Sequence, residues 1–198
     1  MATAPNPPSV RNISQFKSKL RGGGARPNLF EVAIPNFPDF VGASYNNDDK
    51  SNLRFMCKAA NLPASNVAPI DVPFRGRILK VAGDRTFETW TITVINDTDF
   101  VIRSAMEKWM NVINKLEDAT GLTDPDEYHK DAFVHQLDRD GSILRSYKFW
   151  DIFPTNISTI DLNYETTDTI EQFDVEMQVH WWEAFKGTSS SAGGENIR

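Results

Sequence analysis

Between Val81 and Leu116 the hydrophobic period of this chain changes, and that change limits what it can fold into. In VAGDRTFETWTITVIND, Phe87, Thr89, Thr91, Thr93 and Ile95 alternate with Glu88, Trp90, Ile92 and Val94. A period of two carried by threonine, β-branched and aromatic residues predicts a strand over 86–95. Asn96, Asp97, Thr98 and Asp99 break the alternation and offer oxygens suited to capping a helix. Ile102, Met106, Trp109, Ile113 and Leu116 then recur at spacings of 4, 3, 4 and 3. Those spacings place them on one helical face. The helix is expected over 99–118, ended by Gly121 and Pro125, with Trp109 anchoring it to a core.

The rest of the chain reads as strands and turns. A first strand over 29–34 puts Phe30, Val32 and Ile34 on one face. Pro35 to Asp39 ends its pairing. Residues 35–52 form an extended loop in which Phe37, Phe40 and Tyr45 stand among polar residues. A second strand is expected over 53–60, with Leu53, Phe55, Cys57 and Ala59 on one face. Pro63, Pro69 and Pro73 punctuate the next connection. A strand over 74–81 is joined to the one over 86–95 through a turn at Gly83-Asp84. After the helix, segments 132–137 and 143–152 form a hairpin about Asp138-Arg139-Asp140-Gly141, whose Asp-Gly is a strong turn signal. Segments 156–164 and 170–182 form the last hairpin. In its second strand Phe173, Val175, Met177, Val179 and Trp181 alternate with Asp174, Glu176, Gln178, His180 and Trp182. The sum is a mainly β (α+β) chain: an antiparallel sandwich or barrel of about eight strands with one substantial helix on its flank.

Charge divides the chain. Arg11, Lys17, Lys19, Arg21 and Arg26 give residues 1–26 five cations and no acid; with the whole at −6, the remainder carries −11. An acidic body does not hold nucleic acid by neutralising phosphates. A basic arm on such a body suggests docking onto a neighbouring copy. Residues 1–24 therefore read as an arm. Ile13, Phe16 and Leu20 lie at helical spacing within it, ahead of Gly22-Gly23-Gly24. Residues 25–183 form the domain, and 184–198 a low-complexity tail. The leader lacks the apolar stretch of a secretory signal, and no run is long enough to insert in a membrane.

Chemistry is hard to find. His129, His135 and His180 fall in separate elements without metal-binding spacing. The glycine run is not followed by Lys-Ser or Lys-Thr, as a phosphate loop would require. Asp84-Arg85 reads as a turn residue beside a surface cation. The single cysteine, Cys57, reads as a small buried hydrophobe. Arg54, Lys58, Arg75 and Arg77 are expected to pair with acidic neighbours. No catalytic residue, metal site or cofactor is indicated.

Four blocks in collinear order carry a family resemblance: ARPNLFEVAI at 25–34, FMCKAANLPAS at 55–65, AGDRTFETWTITVIND at 82–97, and WDIFPTNISTIDLNYETTDTIEQFDVEMQVHWWE at 150–183. Together they resemble the tail tube proteins of contractile-tailed bacteriophages of the myovirus type. The leader, the 35–52 region and the tail depart from that pattern. The resemblance implies a structural virion protein, assembled in the host cytoplasm, that forms hexameric rings joined into one continuous barrel. The rings stack as the inner tail tube through which DNA is ejected. It also implies partners: further copies of the chain, a contractile sheath, baseplate tube-initiator and tail terminator proteins, a tape-measure protein in the lumen, and double-stranded DNA in transit without specific binding. A channel for DNA needs acidic and neutral polar walls. The candidates are Asp174, Glu176 and Gln178 on the last strand and Asp161, Asn163 and Glu165 on the one before. Phe37, Phe40, Tyr45, Arg11, Lys17, Lys19 and Arg21 are the candidates for contacts between subunits. The outward helix face, Arg103, Glu107, Lys108, Asn111 and Asn114, suits a releasable sheath contact. The rival readings are a bacteriocin-like or type VI secretion tube, the baseplate tube-initiator, and a small-ligand barrel or hydrolase with a pocket.

Overall fold

The computed structural model describes residues 12–35 and 52–186. Along them run α1 (Ile13–Lys19), a 3-10 turn (Arg21–Gly23), β1 (Phe30–Ala33), α2 (Asn52–Met56), β2 (Cys57–Ala60), β3 (Ser65–Phe74), β4 (Arg77–Phe87) and β5 (Trp90–Ile95). There follow α3 (Val101–Ile113), α4 (Pro125–Tyr128), β6 (Lys130–Leu137), β7 (Ile143–Ile157), β8 (Gln172–Gln178) and β9 (Trp181–Lys186). Antiparallel pairing links β1-β6-β7-β8-β5-β2 into one sheet, with β9 also on β7, while β3 and β4 form a separate ribbon. This is the mainly β architecture with one substantial helix that the sequence predicts.

The longest strand, β7, ties the sheet together. Its first half pairs with β6 and β9, and its second half with β8. The change of partner comes near Asp151, whose positive φ of 53° coincides with a register shift between Lys130 and Ala132 on β6. An extra residue of this kind bends a strand and strengthens its twist. The sheet thereby curls over its own apolar face. Trp90, Ile92, Val94, Phe149, Ile152, Phe173, Val175 and Met177 all point into a single core. At its centre Trp90 and Phe149 stack with ring centroids 4.7 Å apart.

Helix α3 closes that core. Ile102, Met106 and Trp109 are buried and Ile113 packs against them partly covered, as the spacing predicts. The Trp109 indole Nε1 donates to the Tyr128 carbonyl at 2.9 Å. The helix is shorter than the periodicity suggests. It begins after Phe100, which adopts a left-handed conformation, with Asp97 Oδ1 accepting from the Val101 amide at 3.2 Å. It stops at Ile113 because the chain turns back on itself: Leu122 N donates to Val112 O and Lys115 N to Thr120 O. Leu116, expected on the buried face, is therefore 95% exposed.

Other expectations give way for equally local reasons. The strand expected over 53–60 begins as the short helix α2, so Leu53 turns inward while Phe55 is exposed. The strand over 86–95 is divided at 88–89 between β4 and β5. The turn lies at Arg75-Gly76, both with positive φ, and Gly83-Asp84 sits inside β4. Gly83 fits there because a Cβ would meet the Ala68 carbonyl at 2.6 Å, beside the register shift between Val67 and Pro69. Pro69 and Pro73 lie within β3 rather than in a connection. A two-stranded ribbon has outward-facing positions where a missing N–H costs no ladder bond. The strand expected over 156–164 is absent: β7 ends at Ile157 and 158–171 is a loop. The last strand breaks at 179–180, where His180 N donates to Trp150 O. The break reverses the alternation, so Trp182 packs against the core and Trp181 stacks outside on Trp150.

Candidate functional site

The outer face of β5 and β8 is built by strict alternation. Phe173, Val175 and Met177 are buried on one side of β8, which leaves Asp174 and Glu176 exposed on the other and Gln178 half-buried at the end of the row. Antiparallel register sets Thr91 opposite Glu176 and Thr93 opposite Asp174. Thr93 Oγ1 donates to Asp174 Oδ1 at 2.6 Å. The Asp174 amide donates to Ser158 Oγ at 2.8 Å, and Thr155 Oγ1 donates to the Glu176 carbonyl at 3.1 Å. At the β2 edge, Lys58 Nζ donates to Gln172 Oε1 at 2.7 Å. The result is a hydrated face of threonine, carboxylate and amide groups. Helix α3 lies across the core from it, with the Arg103 guanidinium 5.3 Å from the centroid of Phe173.

The structure thus brings together half of the sequence-derived row. Asp174, Glu176 and Gln178 share one strand. Asp161, Asn163 and Glu165 belong instead to the 158–171 loop, where Asn163 Oδ1 accepts from the Glu165 amide at 3.0 Å in a local turn. Those short-range oxygens favour a turn over a ladder. Lys17 and Lys19 are exposed on α1, and Arg21 opens the 3-10 turn. Arg11, Phe37, Phe40 and Tyr45 lie outside the described residues. On α3, Glu107, Lys108 and Asn111 are exposed, as is Asn114 just past its end, whereas Arg103 is largely covered and paired with Glu107 at 2.9 Å.

One surface escaped the sequence reading. In the β3–β4 ribbon Val67, Ile70, Val72, Phe74, Ile78, Leu79 and Val81 are all exposed, at 42–67%. An isolated two-stranded hairpin is marginal in water, and an apolar patch of this extent marks an interaction site. The signal was the run of apolar residues on both sides of Arg75-Gly76; placing the turn at Gly83-Asp84 hid it.

The remaining polar groups do not converge. His180 is exposed, His129 stacks on Phe153, and His135 Nδ1 meets Ser146 Oγ at 2.7 Å. Among the described residues no group of His, Cys, Asp and Glu could hold a metal ion. Cys57 is buried with its pKa pushed up to about 12, by burial against the weaker opposing effect of a hydrogen bond with the Ala59 backbone. Such a thiol is inert. Arg54 pairs with Glu31 at 3.0 Å. No helix among the described residues is long and apolar enough to cross a membrane.

A family model described as phage tail tube protein matches residues 25–184. The chain belongs to the phage tail tube protein family. Tail tube protein gp19 of Enterobacteria phage T4 is 35% identical over 163 residues, covering 82% of this chain and 93% of that protein. The tail tube protein of Serratia phage KSP90 is 29% identical over 171 residues, covering 85% and 94%. As a tail tube protein, the chain is a structural component of the contractile phage tail in the virion and not an enzyme. Solved structures of similar fold include the anti-feeding prophage tube-terminating cap, with a TM-score of 0.59 at 16% identity over 82% of this chain and 91% of that one. A sheath-tube complex of an extracellular contractile injection system gives 0.55 at 13% identity over 89% and 99%.

Proposed function

We propose that this tail tube protein forms hexameric rings whose lumen is lined by the outer face of β5 and β8. Asp174, Glu176 and Gln178, with Thr91 and Thr93, present acidic and neutral groups to passing double-stranded DNA. Like charge keeps phosphates at a distance, and the hydroxyl and amide groups hold water on the wall. DNA then moves without being gripped. The observation that carries this reading is the one-sidedness of the sheet. One face of β5 and β8 is sealed by the core and α3, and the other presents threonine, carboxylate and amide groups to water. On that reading α3 sits on the outside of the tube. Its Glu107, Lys108, Asn111 and Asn114 face the sheath through polar contacts that release on contraction.

The apolar β3–β4 ribbon reaches a neighbouring copy, where its exposed side chains lose contact with water. Head-to-tail contacts that repeat along an axis build an open-ended filament. A tape-measure protein in the lumen sets its length, and baseplate and terminator proteins cap its ends. Electron cryo-microscopy of the purified protein tests the whole reading. Stacked hexameric rings with Asp174 on the inner wall are the expected result. Rings with Asp174 against the outside would overturn the lumen assignment, and a monomer at high concentration, even with a tube-initiating template, would overturn the assembly.

A further inference from the structure

We propose that α1 of one copy docks onto the 158–171 loop of the copy stacked next to it, pinning successive rings together; this rests on the tube reading above. Helix α1 is encoded locally. Asn12 Oδ1 accepts from the Gln15 amide at 2.9 Å and the Gln15 side chain answers the Asn12 amide at 3.4 Å, a reciprocal cap. Yet no residue of α1 is buried. Ile13, Phe16 and Leu20 form a stripe exposed by 69%, 61% and 45%. On a helical projection Lys17 and Lys19 flank that stripe on either side. A helix of this length is marginal by itself and gains its stability from packing. It also lies outside residues 25–184, the segment matched by the family, so its contact is one this chain adds.

The 158–171 loop has the complementary character. It contains Asp161, Glu165, Asp168 and Glu171 and no base. Its Leu162, Tyr164 and Ile170 are exposed by 85%, 105% and 75%. Asp161, Leu162, Tyr164 and Glu171 line an open cleft of about 440 Å³. A basic helix with an apolar stripe and an acidic loop with apolar side chains are each incomplete and fit one another in both respects.

Topology assigns the two to different copies. Strand β1 runs parallel to β7, and Phe30 lies level with Arg145 through Gln136. The loop leaves the far end of β7, after Ile157. The intervening strand spans roughly 40 Å. To seat Phe16 on the loop of its own subunit, the chain from Leu20 to Phe30 would have to run almost fully extended, which its 3-10 turn at Arg21–Gly23 opposes. The arm thus joins the sheet at Phe30, away from the end of β7 where the loop leaves, and a head-to-tail neighbour brings the two together without that extension.

The test is a disulfide scan with the tube itself as control. Full-length chains carrying Phe16→Cys and Leu162→Cys together are allowed to assemble and are then mildly oxidised; native Cys57, buried, does not compete. Expected is a ladder of covalent oligomers on a non-reducing gel. Reversing Lys17 and Lys19 to Glu should cut that ladder roughly five- to tenfold at low salt. Adding Asp161→Lys and Asp168→Lys to the reversed chain should restore it. Normal tubes by electron microscopy without a ladder, or a monomeric band shifted by an internal disulfide, would overturn the docking while leaving the tube reading intact. Wild-type chains that never form tubes would overturn the tube reading, and the docking with it.

Discussion

Thr93 and Asp174 face each other across the β5–β8 pair, with the hydroxyl 2.6 Å from the carboxylate. The bond holds a negative charge upright on the solvent side of a strand whose other side is sealed. Asp174→Lys with Glu176→Lys replaces two repelling charges per subunit by two that bind phosphate. Neither side chain is buried, so stability should change by no more than about 1 kcal/mol. Tubes should assemble normally, and genome ejection should slow or stop. An in vitro ejection assay on reconstituted virions measures this, and ejection at the wild-type rate from such virions would sink the lumen assignment.

Trp109 carries the attachment of α3. It is wholly buried and its indole donates to the Tyr128 carbonyl. Trp109→Ala should cost roughly 3–5 kcal/mol, from lost transfer energy, a cavity and an unsatisfied carbonyl. Trp109→Phe keeps most of the packing and loses the donor, and should cost about 1–3 kcal/mol. Urea unfolding of the unassembled subunit separates the two. A loss below about 1 kcal/mol for the alanine variant would show that the helix is held elsewhere.

What the sequence made legible follows from how far each signal reaches. The alternation in 172–178 and the helical spacing from Ile102 to Ile113 are imposed by burial, so they made the core legible and set Asp174 and Glu176 on the opposite side of their strand. Failures cluster where a short-range bond redirects the chain. Asn163 and Glu165 form a turn where alternation had suggested a strand. The bond between His180 N and Trp150 O breaks the last strand and exchanges the roles of Trp181 and Trp182. Burial pattern could not reveal the β3–β4 ribbon, since the face shared by Ile70, Val72, Phe74, Leu79 and Val81 is exposed in the subunit, and the opposite face carries the Asp71–Lys80 ion pair.

His135 gives the subunit a pH dependence. It lies in register between Glu31 and Ser146, with Arg54 paired to Glu31. Burial lowers its pKa, Glu31 opposes that effect and Arg54 adds to it. The unfolded chain therefore takes up a proton at a higher pH than the folded one does. Stability is full above the ordinary histidine value of about 6.5 and declines as pH falls through it, levelling off once the folded form is also protonated. His135→Gln should flatten this decline. Thermal melts of the unassembled subunit between about pH 7.5 and 5 measure it, and equal slopes in the two proteins would refute the assignment.

The ribbon supplies the last prediction. Ile78 and Leu79 are exposed by 63% and 62%, next to the Arg75-Gly76 turn and away from the core. Replacing both by Ser removes apolar surface that water already reaches, so the subunit should unfold within about 0.5 kcal/mol of wild type. In an assembled tube the same side chains would be covered, and each would contribute roughly 1.5–3 kcal/mol of burial at full coverage. With contacts repeated at every subunit of a ring, even partial loss compounds. The double variant should therefore remain folded by circular dichroism yet fail to elongate from a tube-initiating template, and Ile78→Val alone should elongate more slowly. Tubes of normal length from the double variant would remove the ribbon from the interface and leave its exposed apolar side chains without a partner.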